Sequence, residues 1–176
     1  MIKFKDFLSE IFDSQLVLKR NTDKEQIYKD HFYPHTLTNI EVHNAEHDGE
    51  TYEFLRHRHK GMWEVHFGLP NNNSSSERLN KHKGSSASKL LSTAISLYKE
   101  KLDRGQPIRY YGSDDKIHNL YNKAFKHISK DNKLYSREIE DFVGPDGKVH
   151  KKATEISTRP DGDKVGLKES TFKELK

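Results

Sequence analysis

Residues 78–128 read RLNKHKGSSASKLLSTAISLYKEKLDRGQPIRYYGSDDKIHNLYNKAFKHI, and this run decides the fold. A basic loop rich in Ser and Gly leads into Ala87, Leu90, Leu91, Ala94, Ile95, Tyr98 and Leu102, which recur at three- and four-residue spacing. That period places them on one apolar face of a helix over about four turns. The helix is expected to begin near Ser85 and to stop at Gly105. Pro107 to Tyr111 (PIRYY) reads as a short strand, and Gly112-Ser113-Asp114 as a turn and N-cap. Ile117, Leu120, Tyr121, Ala124, Phe125 and Ile128 then define a second amphipathic helix.

The segments on either side supply strands for these helices to cover. Asn39 to Ala45 and Glu50 to His57 alternate in the strand manner around a His47-Asp48-Gly49 turn, which predicts a hairpin. Gly61 marks a second turn. Beyond it Trp63, Val65 and Phe67 share one face of a third strand, with Glu64 and His66 on the other. Lys133 to Val143 and Lys148 to Ser157 flank Gly144-Pro145-Asp146-Gly147 and predict a long hairpin. Gln15 to Lys19 (QLVLK) reads as a first strand, with Thr22 or Asp23 as an N-cap after it. IYKDHFYPH fits helix or strand, ended by Pro34. Phe4, Phe7, Leu8, Ile11 and Phe12 give a short N-terminal helix within residues 1–14. The reading is one α+β domain over residues 1–157, with a central mixed sheet and two long helices, and a polar C-terminal tail over 158–176.

Composition narrows the classes. The chain has 176 residues, enough for one domain, and 33% are charged against 32% hydrophobic, so the core is small and suited to completion by strand pairing or a partner. With 10% aromatic residues the chain is not of the disordered type. Thirty-one basic residues against 27 acidic ones give +4 with His neutral, compatible with a polyanion partner or with an ordinary solvated surface. No cysteine is present, which excludes disulfides and thiolate chemistry. No apolar run approaches the roughly 18 residues of a membrane span, and Asp6 and Glu10 interrupt any signal-peptide apolar segment.

Several clusters could carry chemistry. Arg78, Lys81 and Lys83 precede Gly84-Ser85-Ser86 at a helix start, where backbone N–H groups and the helix dipole favour an anion. The alternative is a solvated loop with a Ser cap. Glu64 suits a general base, or an outward position on a half-exposed strand. His57 and His59 share a strand face, and the turn at Gly61 brings Glu64 opposite His57. No HExxH or other local metal-ligand spacing occurs, so no metal is expected. Arg109-Tyr110-Tyr111, Lys133-Leu134-Tyr135 and His57 to Lys60 interleave aromatics or imidazoles with cations, as a single-strand nucleic-acid platform would.

Two stretches carry a family resemblance. GMWEVHFGL, followed by a Gly-containing loop at a long helix, and SDDKIHNLYNKAFKHI both resemble the GCN5-related N-acetyltransferases over about residues 15–157. The resemblance implies an acyltransferase-like sheet. It also implies acetyl-CoA as cofactor, with its pyrophosphate on the loop of Arg78, Lys81, Lys83, Gly84, Ser85 and Ser86. Tyr121 would then be the general acid toward the departing thiolate and Glu64 the base for an amine. The loop departs from the family's pattern: Lys81 stands where Arg or Gln is usual, and Ser86 where Gly or Ala is usual. A side chain at that last position crowds the approach of a pyrophosphate.

The Phe/Leu-rich start and the Trp-Glu-Val-x-Phe strand before a long helix are also similar to small tailed-bacteriophage proteins. The altered loop and the two extensions favour a non-catalytic phage-type scaffold. Such a protein would be a virion component or host-factor binder in the host cytoplasm or the virion, with a protein partner or a second copy. An N-acetyltransferase and a nucleic-acid-binding module are the alternatives.

Overall fold

The computed structural model describes residues 15–31, 37–68, 85–112, 115–145, 147–161 and 172–176, and side chains from Ser88 onward in the helix that starts at Ser85. The expected N-terminal helix, the Gly112-Ser113-Asp114 cap and the basic loop up to Gly84 lie wholly or partly outside these residues. The described elements are β1 (Lys19–Arg20), α1 (Thr22–His31), β2 (Thr38–His47), β3 (Glu50–His59), β4 (Met62–Gly68), α2 (Ser85–Asp103), β5 (Ile108–Tyr110), α3 (Asp115–Ile128), β6 (Tyr135–Val143), β7 (Val149–Ser157) and β8 (Lys173–Glu174).

They form one α+β unit. The eight strands make a single mixed sheet in the order β1-β2-β3-β4-β5-β7-β6-β8. Only β4 and β5 run parallel among the paired strands. A parallel pair needs a crossover, and α2 supplies it.

Turn chemistry fixes the register. Asp48 and Gly49 between β2 and β3, and Lys60 and Gly61 between β3 and β4, all have positive φ. Two such residues in succession are the type I′ hairpin connection, whose twist matches that of the strands. The second turn sets His57 opposite Glu64 and Leu55 opposite His66.

The apolar faces meet on one side of the sheet. Phe54, Trp63, Val65, Phe67, Ile108, Tyr110 and Ile156 pack against Leu90, Leu91, Ala94, Ile95 and Tyr98 of α2 and Tyr121, Phe125 and Ile128 of α3. The helix α2 ends as expected: Gly105 has φ 72°, its N–H donates to the Leu102 carbonyl, and Gln106 N–H donates to Lys101, the two bonds of a Schellman stop. A smaller cluster of Leu37, Ile40 and Val42 packs with Tyr28 of α1 and Leu55.

Three expectations need correction. The first strand is only Lys19–Arg20, and Gln15 to Leu18 lie outside the ladder. Leu16 N–H bonds the Thr93 hydroxyl on α2 instead. The cap of α1 is Asn21, whose Oδ1 accepts the Lys24 N–H at 3.0 Å, rather than Thr22 or Asp23. Residues 172–176 are not a free tail. Lys173 and Glu174 pair with β6, Phe172 is buried, and Leu175 packs on the main core because these are the apolar side chains at the end of a polar run.

Candidate functional site

The strands β4 and β5 touch at one register pair, Trp63 with Ile108, and Trp63 N–H donates to the Pro107 carbonyl at 3.0 Å. In a regular parallel ladder the next donor on this edge, Val65 N–H, would also reach β5. Here it donates to the Tyr98 hydroxyl at 3.0 Å, and that hydroxyl lies 3.3 Å from the Val65 carbonyl. The gap between the diverging strands is thus closed by a side chain of α2. Tyr98, Tyr110, Tyr121 and Phe125 pack around the same point at centroid distances of 5.0 to 6.4 Å, Tyr98 edge-on to the other three.

Tyr121 belongs to this aromatic cluster. Burial pushes its phenol well above the usual tyrosine range, which weakens it as a proton donor. Tyr98 is raised likewise by burial, so its hydroxyl stays protonated.

The other side of the sheet holds a polar core. Cross-strand partners share a face, so His57 and Glu64 face the same way. Glu64, Arg109, Glu155 and Arg137 come from β4, β5, β7 and β6 and alternate in charge across the sheet. Arg109 Nη1 lies 2.8 Å from Glu64 Oε1 and its Nη2 2.7 Å from Glu155 Oε1, while Arg137 pairs with Glu155 Oε2. The two carboxylates are fully buried, and Arg109 also covers the Phe142 ring at 4.5 Å.

Glu64 is the centre of this group. His59 Nδ1 stands 3.3 Å from its Oε1. The Tyr111 hydroxyl is 3.3 Å from its Oε2 and 3.1 Å from His66 Nε2. Burial alone would push the Glu64 carboxyl up, but hydrogen bonds with His59 and His66 and the neighbouring imidazoles outweigh it and hold the group well below the usual carboxylate range. A carboxylate so stabilised is a weak base. His57 is fully buried, and burial pushes its imidazole down to about 3, so it is neutral. Its ring lies nearly parallel to that of His66, 5.0 Å away.

The proposed catalytic pair is not assembled around one reacting position: Glu64 faces the His57 and Arg109 side of the sheet, and Tyr121 packs on the helix side. Arg78, Lys81, Lys83 and Gly84 lie outside the described residues. Ser85 and Ser86 are the first two residues of α2. Glu64 does not sit on a half-exposed outward face, and His57 and His59 lie beside it in the same polar core. All three are buried, on β3 and β4, which are both interior strands of the sheet. Arg109 and Tyr110, read as a stacking platform for nucleic acid, are buried and engaged within the protein.

A shallow hollow of about 430 Å³ lies at the start of β4, lined by Arg20, Lys29, Glu41, Trp63, Lys101 and Arg104 among others. Lys101 Nζ lies 3.7 Å from the Trp63 ring centre and 3.1 Å from Glu41 Oε1. Arg56 joins the same cluster through Glu41 and Glu100.

No described helix is long and apolar enough to cross a membrane. Compared with models of protein families, with curated proteins and with solved structures, the chain matches none of them.

Proposed function

We propose that this chain uses an acyltransferase-like sheet as a non-catalytic scaffold for protein contacts, in the manner expected of a phage-type protein in a virion or bound to a host factor. The element order supports the acyltransferase-like description: three antiparallel strands, a long helical crossover to a parallel strand, a second helix and a hairpin. The observation that carries the non-catalytic reading is the bond between the Tyr98 hydroxyl and Val65 N–H. An acyl transfer between these strands needs donors aimed at the developing oxyanion. The backbone donor that the divergence of β4 from β5 would free is Val65 N–H, and α2 already occupies it. Glu64, held anionic by His59 and His66 and paired with Arg109, and Tyr121, packed in the core, support the same reading.

The hairpin of β6 and β7 suits partner contact. The strand β5 pairs with β7 only over Thr154, Glu155 and Ile156, so the hairpin continues past β5 as a two-stranded arm. Its end pairs Val143 with Val149, which are 45% and 62% exposed. Light scattering of the purified chain tests the proposal, alone and with Val143→Lys plus Val149→Lys. The expected result is a mass above the monomer that falls in the double variant, with no acetyl-CoA-dependent turnover on amine acceptors. A strictly monomeric chain that transfers acetyl groups, and loses the activity in Tyr121→Phe, would overturn it.

A further inference from the structure

We propose that His57, Glu64 and His66 form a binding site for a divalent transition metal of the zinc class, with two imidazole nitrogens and one carboxylate oxygen as its protein ligands. One ligand atom from each of the three residues lies within 4.8 Å of the other two. His57 Nε2 is 3.9 Å and His66 Nε2 3.5 Å from the same oxygen, Glu64 Oε2. An ion held at about 2.0–2.2 Å from each atom brings tetrahedral ligands to roughly 3.3–3.6 Å of one another. To hold an ion, the His57 and His66 rings, which lie nearly parallel and 5.0 Å apart, turn so that both ring planes pass through it.

Three further features point to a ligand. First, His57 is fully buried, and neither of its ring nitrogens has a hydrogen-bond partner. A buried polar atom without a partner is destabilising, and an ion would satisfy Nε2, the nitrogen turned toward Glu64.

Second, the two oxygens of Glu64 are divided. Oε1 is taken by Arg109 at 2.8 Å and approached by His59 at 3.3 Å, which orients the carboxylate as an outer shell of ligands does. Oε2 faces the two imidazoles and lies 3.3 Å from the Tyr111 hydroxyl.

Third, the site has access and a fourth side. The His66 side chain is 35% exposed, and the Tyr111 hydroxyl lies 3.1 Å from His66 Nε2. Three protein ligands leave a tetrahedral ion one further position, which this hydroxyl or a water beside it fills. Two imidazoles and one carboxylate select zinc and its late first-row neighbours over magnesium or calcium, which prefer all-oxygen shells. Glu64, Arg109, Glu155 and Arg137 sum to zero charge, so the site adds no surplus anion that would favour a hard cation.

The test uses the full chain after dialysis against a chelator, titrated with cobalt(II) by visible absorption and with zinc by calorimetry. Saturation at one ion per chain is expected, with the visible bands of a low-symmetry nitrogen and oxygen shell. His66→Ala removes a ligand at a half-exposed position, where the fold survives, and should weaken binding by roughly 100-fold or more, above the cost of losing an outer-shell partner. Glu64→Gln should weaken it similarly; if that variant fails to fold because Arg109 loses its partner, His66→Ala decides alone. His127→Ala on α3 should bind as the unaltered chain does. No saturable binding, or binding unchanged in a folded His66→Ala protein, or binding lost in His127→Ala, would overturn the proposal.

Discussion

Tyr98→Phe removes one oxygen and leaves the ring, so it isolates the contact that closes the gap between β4 and β5. In the native protein that oxygen accepts the Val65 N–H at 3.0 Å and stands 3.3 Å from the Val65 carbonyl. Val65 is buried, so water does not readily replace the hydroxyl. The loss of a hydrogen bond costs about 1 kcal/mol net, and the stranded N–H adds desolvation, for a total of roughly 1–3 kcal/mol. For a domain of this size each kcal/mol moves the thermal midpoint by about 2–4 °C, so the variant should melt roughly 2–12 °C lower. The assay is thermal unfolding followed by circular dichroism, with urea unfolding to give the free energy. An equal m-value in the two proteins would show that the native state is otherwise unchanged. A variant as stable as the parent would refute the reasoning. Val65 N–H would then have another partner, and Tyr98 would not be what closes the strands.

Two further outcomes follow from the charged clusters. Arg109→Met leaves Glu64 and Glu155 buried without their shared cation and should cost about 3–5 kcal/mol, the range for breaking a buried pair. Arg137→Met, on a partly exposed side chain, should cost less in the same urea titration, and equal costs would contradict the arrangement. The Glu41 carboxyl is pulled two ways: burial raises it, but Arg56 and Lys101 outweigh burial and hold it below its ordinary value of 4.5. A carboxyl lowered on folding stabilises the protein above its unfolded pKa, and that contribution is lost as pH falls through the folded pKa. Stability should therefore decline below about pH 4.5, and Glu41→Gln should flatten that part of the profile. An unchanged acid limb would remove Glu41 from the account.

Local signals carried much of the fold. The four-turn apolar face before Gly105, the helix of Ile117 to Ile128, and the turns at Asp48-Gly49 and Lys60-Gly61 are properties of neighbouring residues, and the structure follows each of them. Long-range pairing was not legible. Arg109 stands between two tyrosines and reads as a surface cation, whereas its partners are 45 and 46 residues away. Glu64 and His66 alternate with Trp63, Val65 and Phe67, which is also the pattern of a strand with one wet face. Burial of both faces follows only once β5 lies beside β4 and β7 beside β5, which brings Arg109 and Glu155 onto the Glu64 face. The cluster of His57, Glu64 and His66 did have a signal. Around a two-residue turn at Lys60-Gly61, the register places 57 against 64 and 55 against 66, so an imidazole and a carboxylate on facing strands meet a second imidazole two residues on. His59, the more obvious companion of His57 by spacing, instead braces the other oxygen of Glu64. The docking of Phe172 and Leu175 was hidden because two apolar residues in a polar run are weak evidence on their own.

The most direct test of the scaffold reading is the thermal midpoint of the purified chain with and without acetyl-CoA at millimolar concentration. A ligand that binds only the native state at 100 times its dissociation constant adds about 2.7 kcal/mol, a shift of roughly 5–11 °C for a chain of this length. With Val65 N–H already bonded to Tyr98, the midpoint should not move. A clear rise, lost in Lys83→Ala, would mean that the gap between β4 and β5 opens to a cofactor and that the chain is an enzyme.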